Sequence, residues 1–313
     1  MNRSIGVVAV QVAPVPYDRE ATFASFEGHV RTLAAVFPNL ELYVFPEVYL
    51  TALGSWDDGY PSGYVESVAE PIGGTLTQRI SELSRSVGKW IVPGSIYEAS
   101  GGDVYNTALV FDPQGELVAR YRKIMPWMPY ESTTPGTELT VFDIPDVGRF
   151  GLIICFDAWV PEITRNLAWM GAEVILQPTY TRTNDRELEL VLTRANAIAN
   201  QVYVVSPNYG GLMGTGGSLV VDPEGHVLTS GGSGEQYLNQ VLDLGRVDTV
   251  RQHGTYGMIR MWQQLRDAPP PPMPAYQQGF AAGEVMRGLG PLAVGPRSPR
   301  EAAQRAEDGN GSG

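Results

Sequence analysis

The segment RFGLIICFDAWVPEITRNLAWMGAEVILQPTY, residues 149–180, decides the fold. An apolar run, Leu152-Ile153-Ile154, stops at Cys155. Pro161 then opens a stretch in which Ile163, Leu167 and Met170 recur at helical spacing, and Gly171 closes it. Val174-Ile175-Leu176 is a second apolar run. The order is strand, turn, helix, strand. Cys155, the only cysteine of the chain, stands at the C-terminal end of the first strand and faces a helix start. Open α/β sheets carry their reactive groups at such strand ends. A helix N-terminus and any nearby cation favour thiolate over thiol, so a cysteine there can be activated.

Working outward toward the N-terminus, Ile5 to Ala13 predicts a buried strand. Asp18 can cap a helix over 19–37 with Phe23, Phe26, Val30 and Leu33 on one face. Leu42 to Phe45 predicts a strand that ends at Pro46-Glu47. Residues 48–74 predict a long loop rich in Gly, Tyr and Asp, a length that in a compact domain is usually functional or disordered. A helix over 75–87 and a strand over 90–97 follow.

Two segments repeat. ALVFDPQGELV, residues 108–118, matches SLVVDPEGHVL, residues 218–228. Both place Asp-Pro-x-Gly between β runs, the chemistry of a hairpin turn. The repeat predicts two similar halves, and two stacked sheets with helices outside give a four-layer αββα sandwich of the α/β class. Toward the C-terminus, Asn184 or Asp185 can cap a helix to about Asn200; strands are predicted over 202–206 and 238–244, and a helix over 246–266. These boundaries give a catalytic domain over 1–266. A Pro/Gly-rich extension over 267–313 reads as partly mobile, or as lying on a neighbouring subunit.

A chain of 313 residues with 43% hydrophobic and 18% charged residues has material for a large core. The formal net charge of −12 argues against nonspecific nucleic-acid binding and against an anionic membrane surface. One cysteine excludes an intramolecular disulfide and fits a reducing, cytoplasmic setting. The N-terminal apolar run alternates and is broken by Gln11, which reads as a strand rather than a signal peptide. No apolar stretch approaches the roughly 18 to 20 residues of a membrane helix.

Glu47, Lys123 and Cys155 all fall at or just after strand ends. A carboxylate, an ammonium and a thiol make a complete set for acyl transfer. An unperturbed cysteine titrates near about 8.5 and is mostly thiol at neutral pH. Glu47 can take its proton, while Lys123 and the backbone N–H of Phe156 can hold the oxyanion of a tetrahedral intermediate. His29, His226 and His253 stand at no strand end and read as surface or structural residues. No His/Cys pair has metal-ligand spacing, so neither a metal nor another cofactor is expected.

The three segments FPEVYL (45–50), YRKIMPWMPYE (121–131) and LIICFDAWVPE (152–162) resemble the nitrilase, or carbon–nitrogen hydrolase, superfamily. The resemblance spans about residues 5–262, and the Arg-Lys followed by Pro-Trp-x-Pro-x-Glu is most similar to the aliphatic amidase and formamidase branch. It implies an αββα fold and a Glu–Lys–Cys triad of Glu47, Lys123 and Cys155. It adds Glu131 as a fourth residue that positions substrate and helps to shuttle protons. The implied reaction is hydrolysis of a linear carboxylic amide to acid and ammonia through a thioester. N-carbamoyl amino acid hydrolysis, nitrile hydrolysis and a catalytically silent binding protein on the same fold are the alternatives. The family also implies a homo-oligomer, a dimer or larger.

Further residues have two readings each. Tyr180, Trp56 and Tyr60 either touch substrate or pack the pocket. Arg182 either binds a substrate carboxylate or faces solvent, and Asn208 either binds near the site or forms a turn. Asp157 and Glu162 read as helix caps or partners of Arg165. GGLMGTGG, residues 210–217, reads as a flexible connection, because it lacks the Lys-Ser/Thr of a phosphate loop.

Overall fold

Residues Ile5 to Gln11 are buried without interruption in β1 (Ser4–Gln11), as befits a strand covered on both faces. The computed structural model describes residues 3–54 and 63–267 of the chain. Trp56, Tyr60 and the extension beyond 267 lie outside the described residues. β1 is parallel to β2 (Leu42–Val44), and β2 to β3 (Trp90–Val92). β3 meets β5 (Asp103–Phe111) antiparallel, and β5 also pairs with β4 (Ser95–Ser100) and forms a hairpin with β6 (Leu117–Arg122). β13 (Gln236–Asp243) lies antiparallel to β1 at the other edge.

The second sheet repeats that order. β8 (Gly148–Leu152), β9 (Val174–Leu176) and β10 (Tyr203–Ser206) are parallel neighbours. β11 (Leu219–Val221) is antiparallel to β10 and forms a hairpin with β12 (Val227–Ser230), while β7 (Val141–Ile144) is antiparallel to β8 at the edge. The two Asp-Pro-x-Gly turns match bond for bond. Asp112 Oδ1 accepts from the N–H groups of Gln114 and Glu116 at 2.9 and 2.8 Å. Asp222 Oδ1 accepts from those of Glu224 and His226 at 2.8 and 2.9 Å. Each hairpin shifts register by a bulge at the same place, Val110/Phe111 and Val220/Val221.

Side-chain alternation divides the strands between layers. Val7, Ala9, Val44, Val110, Leu152, Leu176 and Val205 fill the core between the sheets. Val8, Val10, Tyr43 and Leu109 point the other way and join Phe26, Val30, Leu33, Ile80 and Leu83 of α1 (Arg19–Val36) and α3 (Thr75–Val87). Asp18 caps α1 by accepting from the Ala21 N–H at 2.9 Å. On the second sheet, α5 (Arg186–Asn200) packs on β10 and β11 and against α4 (Pro161–Trp169). Gly151 allows α4 close to β8, since a Cβ there would lie 3.3 Å from the Leu167 Cβ. Helix, sheet, sheet and helix are the four layers. No helix among the described residues is long and apolar enough to cross a membrane.

Four local expectations change. The strand expected over 90–97 is two, β3 and β4, because Gly94 takes φ 87°. A Cβ at Gly94 would sit 1.7 Å from the Pro46 carbonyl oxygen, so the break lets the chain pass against the residue before Glu47. The 48–74 stretch contains a tight turn, Tyr49–Thr51, and a short helix, α2 (Tyr64–Val68). Gly254, at φ 89°, ends α6 (Gly245–His253) where one helix over 246–266 was expected, and α7 is Met261–Asp267. The glycine-rich 210–217 segment is a bonded turn: the Gly216 N–H donates to the Tyr209 carbonyl at 2.9 Å and that of Gly217 to Gly232 at 3.1 Å.

Candidate active site

Four polar side chains reach one cavity of about 250 Å³ from four different segments: Glu47 after β2, Lys123 after β6, Glu131 in the following loop and Cys155 after β8. Phe156, Tyr180 and Arg182 line the same cavity. Among the described residues none of the histidines does.

Glu47 is 5% exposed. Its Oε1 accepts from Lys123 Nζ at 2.8 Å and from Asn106 Nδ2 at 2.8 Å, and its Oε2 from the Tyr180 N–H at 2.9 Å. The chain turns sharply after it: Val48 adopts φ 46° and Ala52 φ 56°, left-handed conformations that are costly for side-chain-bearing residues. Lys123 is 2% exposed. Its ammonium also donates to Glu131 Oε2 at 2.7 Å, so it stands between two carboxylates. Glu131 is fixed further by the Trp127 N–H at 2.9 Å, Asn106 Nδ2 at 2.8 Å and Thr133 Oγ1 at 3.0 Å.

Cys155 begins a 3₁₀ turn, Cys155–Trp159, and itself takes φ 45°. Its N–H donates to the Pro178 carbonyl at 3.0 Å, which anchors it across from β9. The sulfur lies 3.8 Å from Thr181 Oγ1.

Burial sets the protonation of the group. It pushes the Cys155 thiol well up, and the charges of Glu47 and Glu189 add to that against the pull of Lys123. Burial also raises Glu47, where Lys123 opposes it and the Glu131 charge reinforces it. Glu131 is held low: burial acts upward, but the Lys123 ammonium and the Trp127 and Asn106 hydrogen bonds outweigh it. Burial acts downward on Lys123, yet Glu47 and Glu131 hold its pKa well above the usual lysine range. The site thus pairs one carboxylate biased toward taking a proton with one biased against it.

Asp157 does not pair with Arg165. It is fully buried and accepts from the Ile154 N–H and the Tyr121 hydroxyl, both at 2.8 Å, and from the Met125 N–H at 2.9 Å. It therefore ties the Cys155 turn to the segment just after Lys123. Asp185 precedes α5 without a side-chain cap bond and instead accepts from the Thr183 hydroxyl. Asn208 is buried and grips the Thr181 backbone: it accepts from the Thr181 N–H and donates to its carbonyl, both at 2.8 Å. Asp222, Glu224 and His226 gather their ligand atoms within 4.8 Å. They are already engaged, Asp222 with His226 Nδ1 at 2.9 Å and Glu224 with Arg246 and the Tyr256 N–H.

Asn106, Thr181 and Glu189 were not singled out from the sequence. Asn106 carries one signal, a lone amide inside a β run that continues as Ala108-Leu109-Val110-Phe111; Thr181 and Glu189 carry none.

Residues 6–252 match the family described as Carbon-nitrogen hydrolase. The human protein named Omega-amidase NIT2 is 28% identical over 264 residues, covering 79% of this chain and 91% of its own. A formamidase of Bacillus thuringiensis (strain Al Hakam) is 32% identical, over 64% of this chain and 61% of its own length. Among solved structures, Nit3 of Saccharomyces cerevisiae, a member of branch 10 of the nitrilase superfamily, matches with a TM-score of 0.72 and 26% identity, covering 80% of this chain and 94% of Nit3.

Proposed function

The chain belongs to the carbon–nitrogen hydrolase family, an amidase-type enzyme of the nitrilase superfamily, and from that premise we propose that it hydrolyses a short linear carboxylic amide to the acid and ammonia through a thioester on Cys155. The observation that carries this reading is the bonded chain Glu47–Lys123–Glu131 meeting Cys155 at a single cavity.

The substrate carbonyl oxygen lies toward the Lys123 ammonium and the Phe156 N–H. Cys155 is biased toward thiol and Glu47 toward holding a proton, so transfer accompanies attack rather than preceding it: sulfur bonds to the carbonyl carbon as Glu47 takes the thiol proton. Lys123 then faces the oxyanion with an undiminished positive charge in a buried site, where such charge counts most. Glu131 stays ionised and orients the amide nitrogen. Glu47 returns its proton to that nitrogen, the carbon–nitrogen bond breaks and ammonia leaves. Water, deprotonated by Glu47, adds to the thioester, and the acid departs as the thiol is restored.

A cavity of about 250 Å³ suits a small amide, and the names omega-amidase and formamidase of the two relatives agree with that class. A carbamoyl amino acid is the second reading, favoured by Arg182 in the cavity lining, which can meet a carboxylate. Ammonia release across short aliphatic amides, aryl amides, carbamoyl amino acids and nitriles tests both. Short amides should give ammonia without carbon dioxide, whereas a carbamoyl substrate yields both. Ammonia release undiminished in Cys155→Ala would end the proposal.

A further inference from the structure

Thr181 and Glu189 form a second hydrogen-bonded group at Cys155. Glu189, in the first turn of α5, is 1% exposed and paired with Arg186 at 2.9 Å. Its Oε2 accepts from the Thr181 hydroxyl at 2.7 Å; its Oε1 accepts from Gln177 Nε2 at 3.3 Å and lies 3.3 Å from Thr179 Oγ1, whose one proton is shared with the Gln177 carbonyl at 3.2 Å. A threonine hydroxyl has a single proton. Here that proton goes to a carboxylate, the stronger kind of acceptor. What Thr181 Oγ1 presents to the Cys155 sulfur, 3.8 Å away, is therefore lone pairs.

An acceptor at that place can take a hydrogen bond from S–H and repels S⁻. The placement is rigid. Asn208 grips the Thr181 backbone at both N–H and carbonyl, and Thr215 Oγ1 donates to the same carbonyl at 2.9 Å. The other groups acting on the sulfur are Glu47 after β2, Lys123 after β6, Glu189 on α5 and the Tyr180 N–H after β9. Glu131 and Arg186 act on these in turn.

We infer that Thr181, oriented by Glu189, is a positioning residue that accepts the Cys155 S–H hydrogen bond and keeps the sulfur a neutral thiol until Glu47 draws the proton away during attack. This rests on the reading of Cys155 as nucleophile. Burial of the sulfur works in the same direction. The resting enzyme is thereby shielded from alkylation and oxidation, since only the thiolate reacts readily.

The test is alkylation of Cys155 by iodoacetamide as a function of pH, followed by mass, in the wild type, Thr181→Val and Thr181→Ser. Thr181→Val keeps the shape and removes the acceptor. Its alkylation midpoint should fall by about half to one pH unit, with about three- to tenfold faster reaction at neutral pH, as expected for one lost hydrogen bond. Its kcat should fall with KM little changed, and Thr181→Ser should restore both. Thr181→Val alkylated on the wild-type pH curve would reduce Thr181 to packing. A midpoint that rises would mean that the hydroxyl donates to a thiolate, the opposite of the proposal. If Thr181→Val does not fold, Thr181→Ser keeps the proposal falsifiable, because a hydroxyl held by Glu189 must reproduce the wild-type curve and a shifted curve would overturn it. Mass reads the thiol whether or not amides turn over, so this inference and the amidase reading fail separately.

Discussion

Asn106 and Glu47 stand 59 residues apart in sequence and 2.8 Å apart in space. The same Asn106 amide reaches Glu131, and the Asn106 carbonyl accepts from the Lys123 N–H at 2.8 Å. One residue of β5 thus bonds to both carboxylates of the site and to the backbone of its lysine. Asn106→Leu keeps the volume and leaves two buried carboxylates each short of a donor. Hydrogen bonds to charged groups contribute roughly 1.5–3 kcal/mol, so kcat should fall about ten- to hundredfold if the loss falls on the transition state. Steady-state kinetics check this, and a wild-type kcat would remove Asn106 from the site's working parts.

Lys123→Met should unfold more easily and release no ammonia. Removing the ammonium leaves Glu47 and Glu131 buried with no cation between them. Breaking a buried pair in this way costs about 3–5 kcal/mol. Adding Glu47→Gln removes one of the two stranded charges. The double variant should therefore regain part of the lost stability and none of the activity. Denaturant midpoints for the four proteins of the cycle measure the coupling.

The strand ends carrying Glu47, Lys123 and Cys155 were legible because strand, turn and helix chemistry is local: Asp-Pro-x-Gly makes its hairpin wherever it occurs, and Pro161 starts a helix. The repeat was legible for the same reason, and with it the two-sheet architecture. What the sequence hid is the contacts made between segments distant along the chain. Asn106 meets Glu47 and Thr181 meets Asn208 only once the strands of each sheet are assembled, and Tyr121 meets Asp157 only once the two sheets stack; no local pattern encodes a partner 27 to 59 residues away. The break at Gly94 was hidden likewise, since its cause is the Pro46 carbonyl of a neighbouring strand end.

Asp157 should give stability an unusual pH dependence. Burial pushes its carboxyl up to about 6, against the pull of Lys123 and of the hydrogen bonds from Ile154, Tyr121 and Met125. An aspartate of the unfolded chain titrates near about 3.9. Between those values the folded protein keeps a proton that the unfolded chain has released. The contribution is therefore fully present below the unfolded value and is lost as pH rises through the folded one. The span corresponds to roughly 3 kcal/mol. Asp157→Asn does not titrate, so the stability gap between wild type and variant should narrow by up to that amount from roughly pH 4 to roughly pH 7. Urea unfolding across this range measures it. A gap that stays constant would mean an ordinary carboxyl at 157.

The two equivalent hairpin glycines should differ in their response to the same change. Gly115 and Gly225 sit at φ 80° and 85°, and alanine in either place meets the left-handed penalty of about 1–2 kcal/mol. What the new methyl meets is different. At Gly115 it would lie 2.4 Å from the Ser81 carbonyl oxygen, backbone of α3 that cannot yield. At Gly225 it would lie 2.4 Å from Ile198 Cγ1, part of a side chain 44% exposed that can turn outward. Gly115→Ala should therefore cost clearly more than Gly225→Ala. It should also loosen the seam where Ser81 Oγ donates to the Gly115 carbonyl at 2.5 Å and Arg85 Nε to that of Gln114 at 2.8 Å. Neither glycine lines the cavity, so kcat should hold in both variants at temperatures where they stay folded. Denaturant unfolding of the two proteins decides it. Equal losses would mean that the turn conformation alone sets the cost and that α3 gives way to the methyl as readily as Ile198 does.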